Sequence, residues 1–262
     1  MLRVAARRRP TCDAPFTRDV TMTSDTQAVS IQACKHCGSG APPDAHFCPQ
    51  CEKILTLARH GDYFSFFGLD RKLGIDVADL EQRFRALSRQ FHPDYFYNAA
   101  PAERLASLER ASYLNDAYRV LRQPLDRVEY LLRIEKMAPK DRRSRAGQVP
   151  AAMLEEFFAL SEQLDEIRAA REAGAPAGAL RSRLAAAAAP LAERRAEHHR
   201  RLADLGGQWD AQLDAGRPLE ERRRILEALR ELLLERTYVD NLLATLEREQ
   251  AAAALVNDDT PV

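Results

Sequence analysis

Apolar and polar residues follow one another at helical spacing over most of the chain. In the segment VADLEQRFRALSRQF, apolar residues recur every three or four positions, which places them on one side of an α-helix. Asp76 immediately precedes this segment, and aspartate is a favoured residue at a helix N-cap. The pattern therefore predicts an amphipathic helix that begins after Asp76. Its buried stripe is predicted to consist of Val77, Leu80, Phe84, Leu87 and Phe91.

A second helix is predicted from Pro101 to the residues before Pro124. Proline is tolerated in the first turn of a helix, where a backbone N–H has no helical acceptor. Between the two helices lies a short segment that contains His92, Pro93 and Asp94. The helices are therefore expected to pack side by side as a hairpin with this segment at its tip. The apolar residues of the second helix are Ala111, Leu114, Tyr118 and Leu121.

Three further helices are predicted in the C-terminal half of the chain. The first follows Pro150 and carries an apolar seam at steps of three and four residues. The second runs from Gly178 to Leu205, and a kink or break is expected at Pro190 because proline cannot donate the helical hydrogen bond. The third begins at Pro218. The three helices are expected to form a bundle, and the seam residues of its first helix are Met153, Phe157, Leu160, Leu164 and Ile167.

Glycines and changes in composition divide the chain into units. Gly206, Gly207 and Gly216 are predicted to mark loops, since glycine weakens a helix. The expected fold class is all-α, with a helical hairpin domain and a three-helix bundle preceded by a small ribbon-like cysteine segment. The expected units are residues 1–30 as a disordered tail, 31–57 as the cysteine segment, 61–135 as the hairpin domain, 136–149 as a linker, 150–249 as the bundle and 250–262 as a disordered tail.

Composition narrows the class of partner. Charged residues make up 30% of the 262 residues, but the formal net charge is zero. Long-range attraction to nucleic acid or to an acidic membrane needs an excess of Lys and Arg, so neither is expected as a partner. No apolar run approaches the roughly 20 residues that cross a bilayer, and the Arg-rich N-terminus lacks the apolar core of a secretory signal. A cytoplasmic location is expected.

Four of the five cysteines form two C-x-x-C pairs with ten residues between them. Two such pairs at this separation are typical of a tetrahedral zinc site, in which four thiolates leave no open position for water. The zinc is therefore expected to be structural, and the neighbouring His36 and His46 are not expected to bind it. A redox-active pair or free thiols are the alternatives. The predicted ligands are Cys34, Cys37, Cys48 and Cys51.

The tripeptide His92-Pro93-Asp94 lies at the predicted tip of the hairpin. A proline disfavours the helical conformation in the residue before it, so Pro93 is expected to end the first helix just before His92. Asp94 then offers a short acceptor that suits an arginine of another protein. On the first helix, Arg85 and Arg89 stand one turn apart and away from the apolar stripe. A chance turn, or a His92 that acts as a catalytic base, is the alternative interpretation of the tripeptide.

Two antiparallel helices with an HPD tripeptide at their tip and a basic ridge beside it resemble the J-domain. J-domains dock on the ATPase and linker region of DnaK-type chaperones, and their loop tripeptide stimulates ATP hydrolysis by the chaperone. The resemblance implies that His92, Pro93 and Asp94 form the stimulating element and that Arg85 and Arg89 are docking cations. It also implies that this chain is an activator of a partner enzyme and has no catalytic residues of its own.

Two further stretches of the sequence indicate which kind of J-domain protein the chain resembles. DYFSFFGL, at residues 62–69, and QPLDRVEYLLRI, at residues 123–134, resemble the iron-sulfur co-chaperone HscB, in which a J-domain is followed by a helical bundle. The function this implies is to stimulate an HscA- or DnaK-type ATPase and to deliver to it an IscU-like scaffold for iron-sulfur clusters. Some eukaryotic members also resemble this chain in carrying an N-terminal tetracysteine segment. That segment either braces the J-domain or docks a partner, and the sequence leaves both open.

The first helix of the predicted bundle carries a second unusual surface. Leu154 and Phe158 project away from its seam, one turn apart, and Glu162 continues the row. Two large apolar residues beside a carboxylate favour a partner surface, although a broad stripe buried in the bundle gives the same pattern. The HscB resemblance implies that these three residues bind the scaffold, together with Arg230 on the last helix.

Three other functions fit parts of the pattern. They are a general J-domain protein for DnaK with another client, a nucleic-acid-binding module built on the ribbon and linker, and a thiol oxidoreductase. Nucleic-acid binding predicts an affinity that falls steeply with salt, and a thiol oxidoreductase predicts a chain without bound metal. The zero net charge argues against nucleic acid, and four competing zinc ligands argue against redox chemistry.

Overall fold

The computed structural model describes residues 31–42, 44–57, 61–137 and 154–255, and the fold is all-α as predicted. A minimal antiparallel sheet pairs β1 with β2, with Gln32 opposite Ala41 and Ala33 opposite Gly40. A short 3₁₀ helix, Pro93–Phe96, lies between α2 and α3. The strands and α-helices are β1 (Gln32–Ala33), β2 (Gly40–Ala41), α1 (Tyr63–Phe66), α2 (Val77–Phe91), α3 (Pro101–Arg122), α4 (Pro124–Ile134), α5 (Leu154–Glu172), α6 (Ala177–Asp214) and α7 (Leu219–Leu255).

Several predicted features lie outside the described residues. They are the tail at residues 1–30, the linker from residue 138 onward, Pro150 with the seam residue Met153, and the tail from residue 256. The cysteine segment has a small core of its own, and side chains from it also enter the core of the helical hairpin. Those side chains are Phe47, Ile54 and Leu57.

The hairpin of α2 and α3 forms where the apolar pattern predicts it. Asp76 caps α2, and its side chain accepts a hydrogen bond of 2.9 Å from the backbone N–H of Ala78. Leu80 and Phe91 are fully buried, whereas Val77 is exposed. The prediction that Val77 belongs to the buried stripe is therefore wrong. Val77 is the first residue of α2, and the stripe reaches the core only from Leu80 onward.

The hairpin domain is joined to the bundle through hydrogen bonds as well as apolar packing. The Asp210 carboxylate of α6 accepts backbone N–H bonds from Leu73 at 2.7 Å and from Gly74 at 2.6 Å. The neighbouring Trp209 is fully buried, and its indole N–H donates to the carbonyl of Arg71 at 2.8 Å. The loop between α1 and α2 is thus attached directly to α6. An apolar core between α4, α6 and α7 surrounds this attachment.

Helix α6 is longer than predicted, because it continues through a proline and a pair of glycines, residues that weaken helices. It passes Pro190 without a break and runs on through Gly206 and Gly207 to Asp214. The predicted loop at the two glycines is therefore wrong. A Cβ at Gly206 would lie 3.5 Å from the Cβ of Leu73, so the glycine stands where α6 meets the loop before α2. Packing along both ends of α6 outweighs the weak helix propensity of these residues.

Helix α7 also extends beyond the predicted boundary. Residues 250–255 were expected to belong to a disordered tail, but α7 continues to Leu255 and Ala253 is buried in the bundle core. Arg168 and Arg171 of α5 both bind the carboxylate of Glu249, at 2.7 and 3.1 Å. These ion pairs hold the last turns of α7 against α5. Ala253 is small and belongs to an alanine run with no apolar periodicity, so its burial has no signal in the local sequence.

The attachment of α6 to the hairpin domain can be tested by replacing Asp210 with asparagine. One oxygen of Asp210 would become an NH₂ group that faces a backbone N–H, so the N–H of Leu73, which is partly buried, or that of Gly74 loses its acceptor. We expect Asp210→Asn to lower the free energy of unfolding by about 1–2 kcal/mol, measured by urea denaturation. The matched control is Glu231→Gln on the exposed face of α7, which should leave stability unchanged. Equal stability of both variants would contradict the role of this attachment.

Candidate functional site

The four cysteine sulfurs converge on one point in the N-terminal segment. The sulfurs of Cys34 and Cys51 lie 3.7 Å apart, those of Cys37 and Cys48 lie 3.6 Å apart, and all four lie within 4.8 Å of one another. Zinc–sulfur bonds of about 2.3 Å in a tetrahedron require sulfurs roughly 3.8 Å apart. The four residues therefore fit a tetrahedral metal ion, and with four thiolates the ion would be structural.

The two cysteine pairs have the same backbone geometry. The carbonyl of the first cysteine in each pair accepts a hydrogen bond from the residue four positions later, Gly38 N–H to Cys34 at 2.8 Å and Glu52 N–H to Cys48 at 2.9 Å. Both donors have positive φ, 74° for Gly38 and 58° for Glu52. Each pair is thus held in a tight turn that aims both thiols at the same point. These two C-x-x-C turns explain why the four sulfurs converge on one point.

The backbone also prepares one thiol for metal binding. Backbone N–H groups of Cys51 and Gln50 hydrogen-bond the sulfur of Cys48 and lower the pKa of its thiol to about 7. A metal binds the thiolate and not the thiol, so this effect favours coordination near neutral pH.

Neither histidine of the segment belongs to the sulfur cluster, as predicted. His46 instead packs edge-on against Phe66 and Phe91, with ring centroids 4.8 and 5.0 Å away. Its Nδ1 lies 2.8 Å from a guanidinium nitrogen of Arg110. Burial and the charge of Arg110 lower the pKa of His46 to about 4. The imidazole is therefore neutral at pH 7, and its Nδ1 accepts a hydrogen bond from Arg110.

The tripeptide His92-Pro93-Asp94 lies at the exposed tip between α2 and α3. His92 has φ −60° and ψ 126°, so α2 ends at Phe91, immediately before it. The imidazole folds back and accepts a 3.3 Å hydrogen bond from the backbone N–H of Asp94. The Asp94 side chain is 88% exposed, and its carboxylate lies 3.6 Å from the His92 imidazole. Asp94 can therefore accept hydrogen bonds from a molecule that approaches the tip.

The basic residues of α2 lie on its solvent face. Arg85 and Arg89 are both exposed. Arg85 is paired at 2.5 Å with Glu81, one turn away on the same helix. A pair this exposed contributes little to stability and exchanges readily for a stronger acceptor. Arg83 points elsewhere, since it pairs with Asp79 and donates to the carbonyl of Phe67 at 3.0 Å.

The apolar row on α5 faces solvent. Phe158 is 65% exposed and Leu154 is 40% exposed, and Glu162 is exposed on the next turn. The alternative in which this row is buried in the bundle is therefore wrong. The seam residues of α5 face inward instead, and Phe157 packs between Phe158 and Tyr238 of α7. The row Leu154, Phe158 and Glu162 is called the α5 patch below.

Arg230 lies on a different helix from the α5 patch. It is half-buried on α7, beside Leu229, in the part of α7 that packs on α4. Eight residues, or about 12 Å of helix rise, separate it from Tyr238, which lies level with Phe157. The structure thus brings Leu154, Phe158 and Glu162 together on one face and places Arg230 on the helix beside them, nearer the hairpin domain.

A buried cation that the apolar pattern does not predict lies on α3. Arg110 is 2% exposed and donates to the carbonyl of Leu55 at 2.7 Å. One signal could have revealed it, because Arg110 falls in register with the buried residues of α3 at steps of three and four. Those residues are Ser107, Arg110, Leu114, Ala117 and Leu121. A charged residue in a buried register predicts a specific polar partner.

No helix among the described residues is long and apolar enough to cross a membrane. No model of a known protein family matches the sequence. The structure is similar to the crystal structure of the human co-chaperone protein HscB, with a TM-score of 0.57 and 23% sequence identity over 84% of this chain and 98% of that chain. It also aligns with the chaperone HscB from Vibrio cholerae, with a TM-score of 0.49 and 26% identity over 73% of this chain and 99% of that chain.

The match to the human protein extends over both the helical hairpin and the bundle, since it covers 84% of this chain. The four converging cysteines of this chain lie in the small segment before the hairpin. The chain therefore has the all-α fold of the HscB co-chaperones, and a segment with four cysteines whose geometry fits a metal ion precedes the hairpin.

Proposed function

We propose that the protein is a co-chaperone that stimulates the ATPase of an HscA- or DnaK-type chaperone and delivers an IscU-like iron-sulfur scaffold to it. The observation that supports this most is the exposed His92-Pro93-Asp94 tip on a fold shared with human HscB. In this proposal the chain is an activator, and the hydrolytic chemistry belongs to the chaperone. Free thiolates for metal binding fit a reducing compartment, so a cytoplasmic location is part of the proposal.

The tip is suited to contact with a cation of the chaperone. Pro93 fixes the turn, and Asp94 presents a carboxylate that is almost fully accessible. An arginine of the partner can form a bidentate pair with such a carboxylate. Arg85 and Arg89 lie on the solvent face of the helix that leads to the tip and would meet acidic groups of the same partner. The tip and α2 together form the proposed chaperone-binding surface.

The α5 patch is the proposed scaffold-binding surface. Large apolar side chains that stay exposed on a monomer commonly mark protein contacts, and Phe158 has the larger exposure of the two. Glu162 and Arg230 supply charges at its edge, which would set the orientation of the scaffold. With the chaperone at one end of the chain and the scaffold at the other, the chain raises the local concentration of the scaffold at the chaperone.

The role of the tip can be tested by removing the charge of Asp94. Asp94→Asn keeps the shape of the side chain but removes its charge, so it should abolish stimulation of steady-state ATP hydrolysis by a DnaK-type chaperone. Helix content by circular dichroism should not change, because the Asp94 side chain is exposed. Asp116→Asn, on the exposed side of α3, is the control and should stimulate normally. Stimulation by Asp94→Asn equal to that of the unmodified protein would rule the tripeptide out of the mechanism.

A further prediction concerns the α5 patch. Leu154→Ala combined with Phe158→Ala should weaken capture of an IscU-like scaffold by at least about tenfold, because two exposed apolar anchors are lost. Stimulation of the ATPase in the absence of scaffold should be unchanged. Leu219→Ala on α7 is the matched control, since Leu219 is 40% exposed, as is Leu154. Unchanged scaffold affinity in the double variant would exclude the α5 patch as the scaffold-binding surface, whereas unmodified protein that binds no scaffold would favour a general J-domain protein with another client.

Another prediction concerns the metal. Freshly reduced protein should contain about one zinc per chain by mass spectrometry under native conditions. Cys48→Ser should lose the metal, because a hydroxyl does not replace a thiolate in such a site. Cys12→Ser, which lies outside the described residues, is the control and should retain it. Metal-free protein in which all five thiols are titratable would contradict the zinc site and favour a thiol oxidoreductase.

A further inference from the structure

The last turn of α2 is in direct contact with the metal-binding segment. Phe91 immediately precedes the tripeptide and is fully buried. Its ring packs against His46 at 5.0 Å and Phe47 at 6.0 Å, and both residues belong to the segment. Its carbonyl accepts a 2.7 Å hydrogen bond from the hydroxyl of Ser107 on α3. The position of the helix end that carries the tripeptide is therefore set jointly by α3 and the segment.

Arg110 connects these same two elements. Its guanidinium lies on the ring of Phe91, 5.6 Å from the centroid, and it is almost completely buried. It donates to four groups of the metal-binding segment: the carbonyls of Ala45, Leu55 and Thr56 and the Nδ1 of His46, at distances of 3.2, 2.7, 3.4 and 2.8 Å. Every hydrogen-bond acceptor that the described residues provide to Arg110 thus comes from this segment.

A buried guanidinium needs its acceptors, because an unpaired charge in an apolar core is strongly unfavourable. Within the described part of the chain Arg110 forms no ion pair, so its direct partners are the carbonyls and the imidazole, and the charge of Glu109 adds only a longer-range attraction. The segment that supplies them has a core of only four residues, of which two are metal ligands: Cys34, Ala41, Cys48 and Leu55. A segment this small depends on its metal to stay folded.

We propose that the metal-binding segment is a brace for the tripeptide, and that Arg110 is the positioning residue through which the metal controls the end of α2. When the metal leaves, the segment loosens and Arg110 loses its acceptors. The guanidinium then moves toward water and releases Phe91. The last turn of α2 frays, and the tripeptide is no longer presented in one geometry. The part of this inference that concerns stimulation rests on the proposed function, whereas the coupling between metal and helix end does not.

The coupling can be measured by hydrogen exchange on the full-length protein. Reduced protein is compared with its zinc bound and after removal of the zinc by a chelator. We expect amides 88–91 of α2 to exchange about tenfold faster after metal removal. Amides 160–167 of α5, in the distant bundle core, should exchange at an unchanged rate. An unchanged exchange rate at residues 88–91 after loss of the metal would contradict the proposal that the segment braces the end of α2.

Two variants test whether the coupling between the metal and the end of α2 passes through Arg110. Arg110→Met keeps an unbranched side chain of similar length but removes the charge that needs acceptors, so metal removal should accelerate exchange at residues 88–91 by less than about threefold. Arg104→Met, on the exposed side of the same helix, should respond to the chelator like the unmodified protein. A full tenfold response in Arg110→Met would show that the coupling does not pass through Arg110.

ATPase assays then separate the brace from the proposed function. At a temperature where circular dichroism shows intact helix content, metal removal should lower the maximal stimulation of the chaperone, and added zinc should restore it. Unchanged stimulation after metal removal would overturn the positioning role and leave the co-chaperone function intact. Metal-loaded protein that stimulates no DnaK-type chaperone would contradict the proposed function, while the exchange result would still decide whether the segment braces α2.

Discussion

The structure depends on the steric restriction that a proline imposes on the residue before it. Pro93 holds His92 in an extended conformation, so α2 ends at Phe91 and the chain turns outward at that point. The buried Phe91 fixes the inner side of the turn, and the exposed Asp94 forms its outer side. A residue without this restriction would allow α2 to continue, and the same three side chains would then be spread around a helix. The proposed contact with a chaperone requires the three side chains to lie together at an exposed turn.

The two proposed binding surfaces lie on different apolar cores, the tip on the hairpin core that contains Phe91 and the α5 patch on the core of the bundle. Two cores share α6 and α7: one, with Leu202 and Leu232, joins α4 to these helices, and the other, with Leu191 and Val239, lies farther along the bundle. His198 is buried on α6 between these cores, and burial lowers its pKa. Helix α6 has 38 residues, which corresponds to about 57 Å. Arg194, which pairs with Glu156 beside the α5 patch, and Asp210, which binds the hairpin domain, are 16 residues apart on α6, or about 24 Å, so this helix holds the hairpin domain and the α5 patch apart.

Features encoded over a few neighbouring residues could be predicted from the sequence. The apolar steps of α2, the break before Pro93 and the spacing of the cysteines are all local, and the structure agrees with them except at Val77, the first residue of α2. The errors arose where distant parts of the chain decide the outcome. Gly206 is helical because α6 passes close to Leu73, and Ala253 is buried because α5 holds the end of α7 through Glu249. Arg110 lies in a buried register, but its partners are more than 50 residues away and share no local pattern with it.

The order of these partners along the chain has a consequence for biosynthesis. Arg110 follows Leu55, which accepts its hydrogen bond, by 55 residues. At about 5–20 residues per second, the ribosome needs roughly 3 to 11 seconds to cover that distance. During this interval the nascent segment has no guanidinium to pack against, and only its metal can keep it folded. In the proposed metal-bound form, capture of the metal would thus be the earliest folding event open to the described part of this chain, and the helices that are synthesised later would assemble on a segment that is already folded.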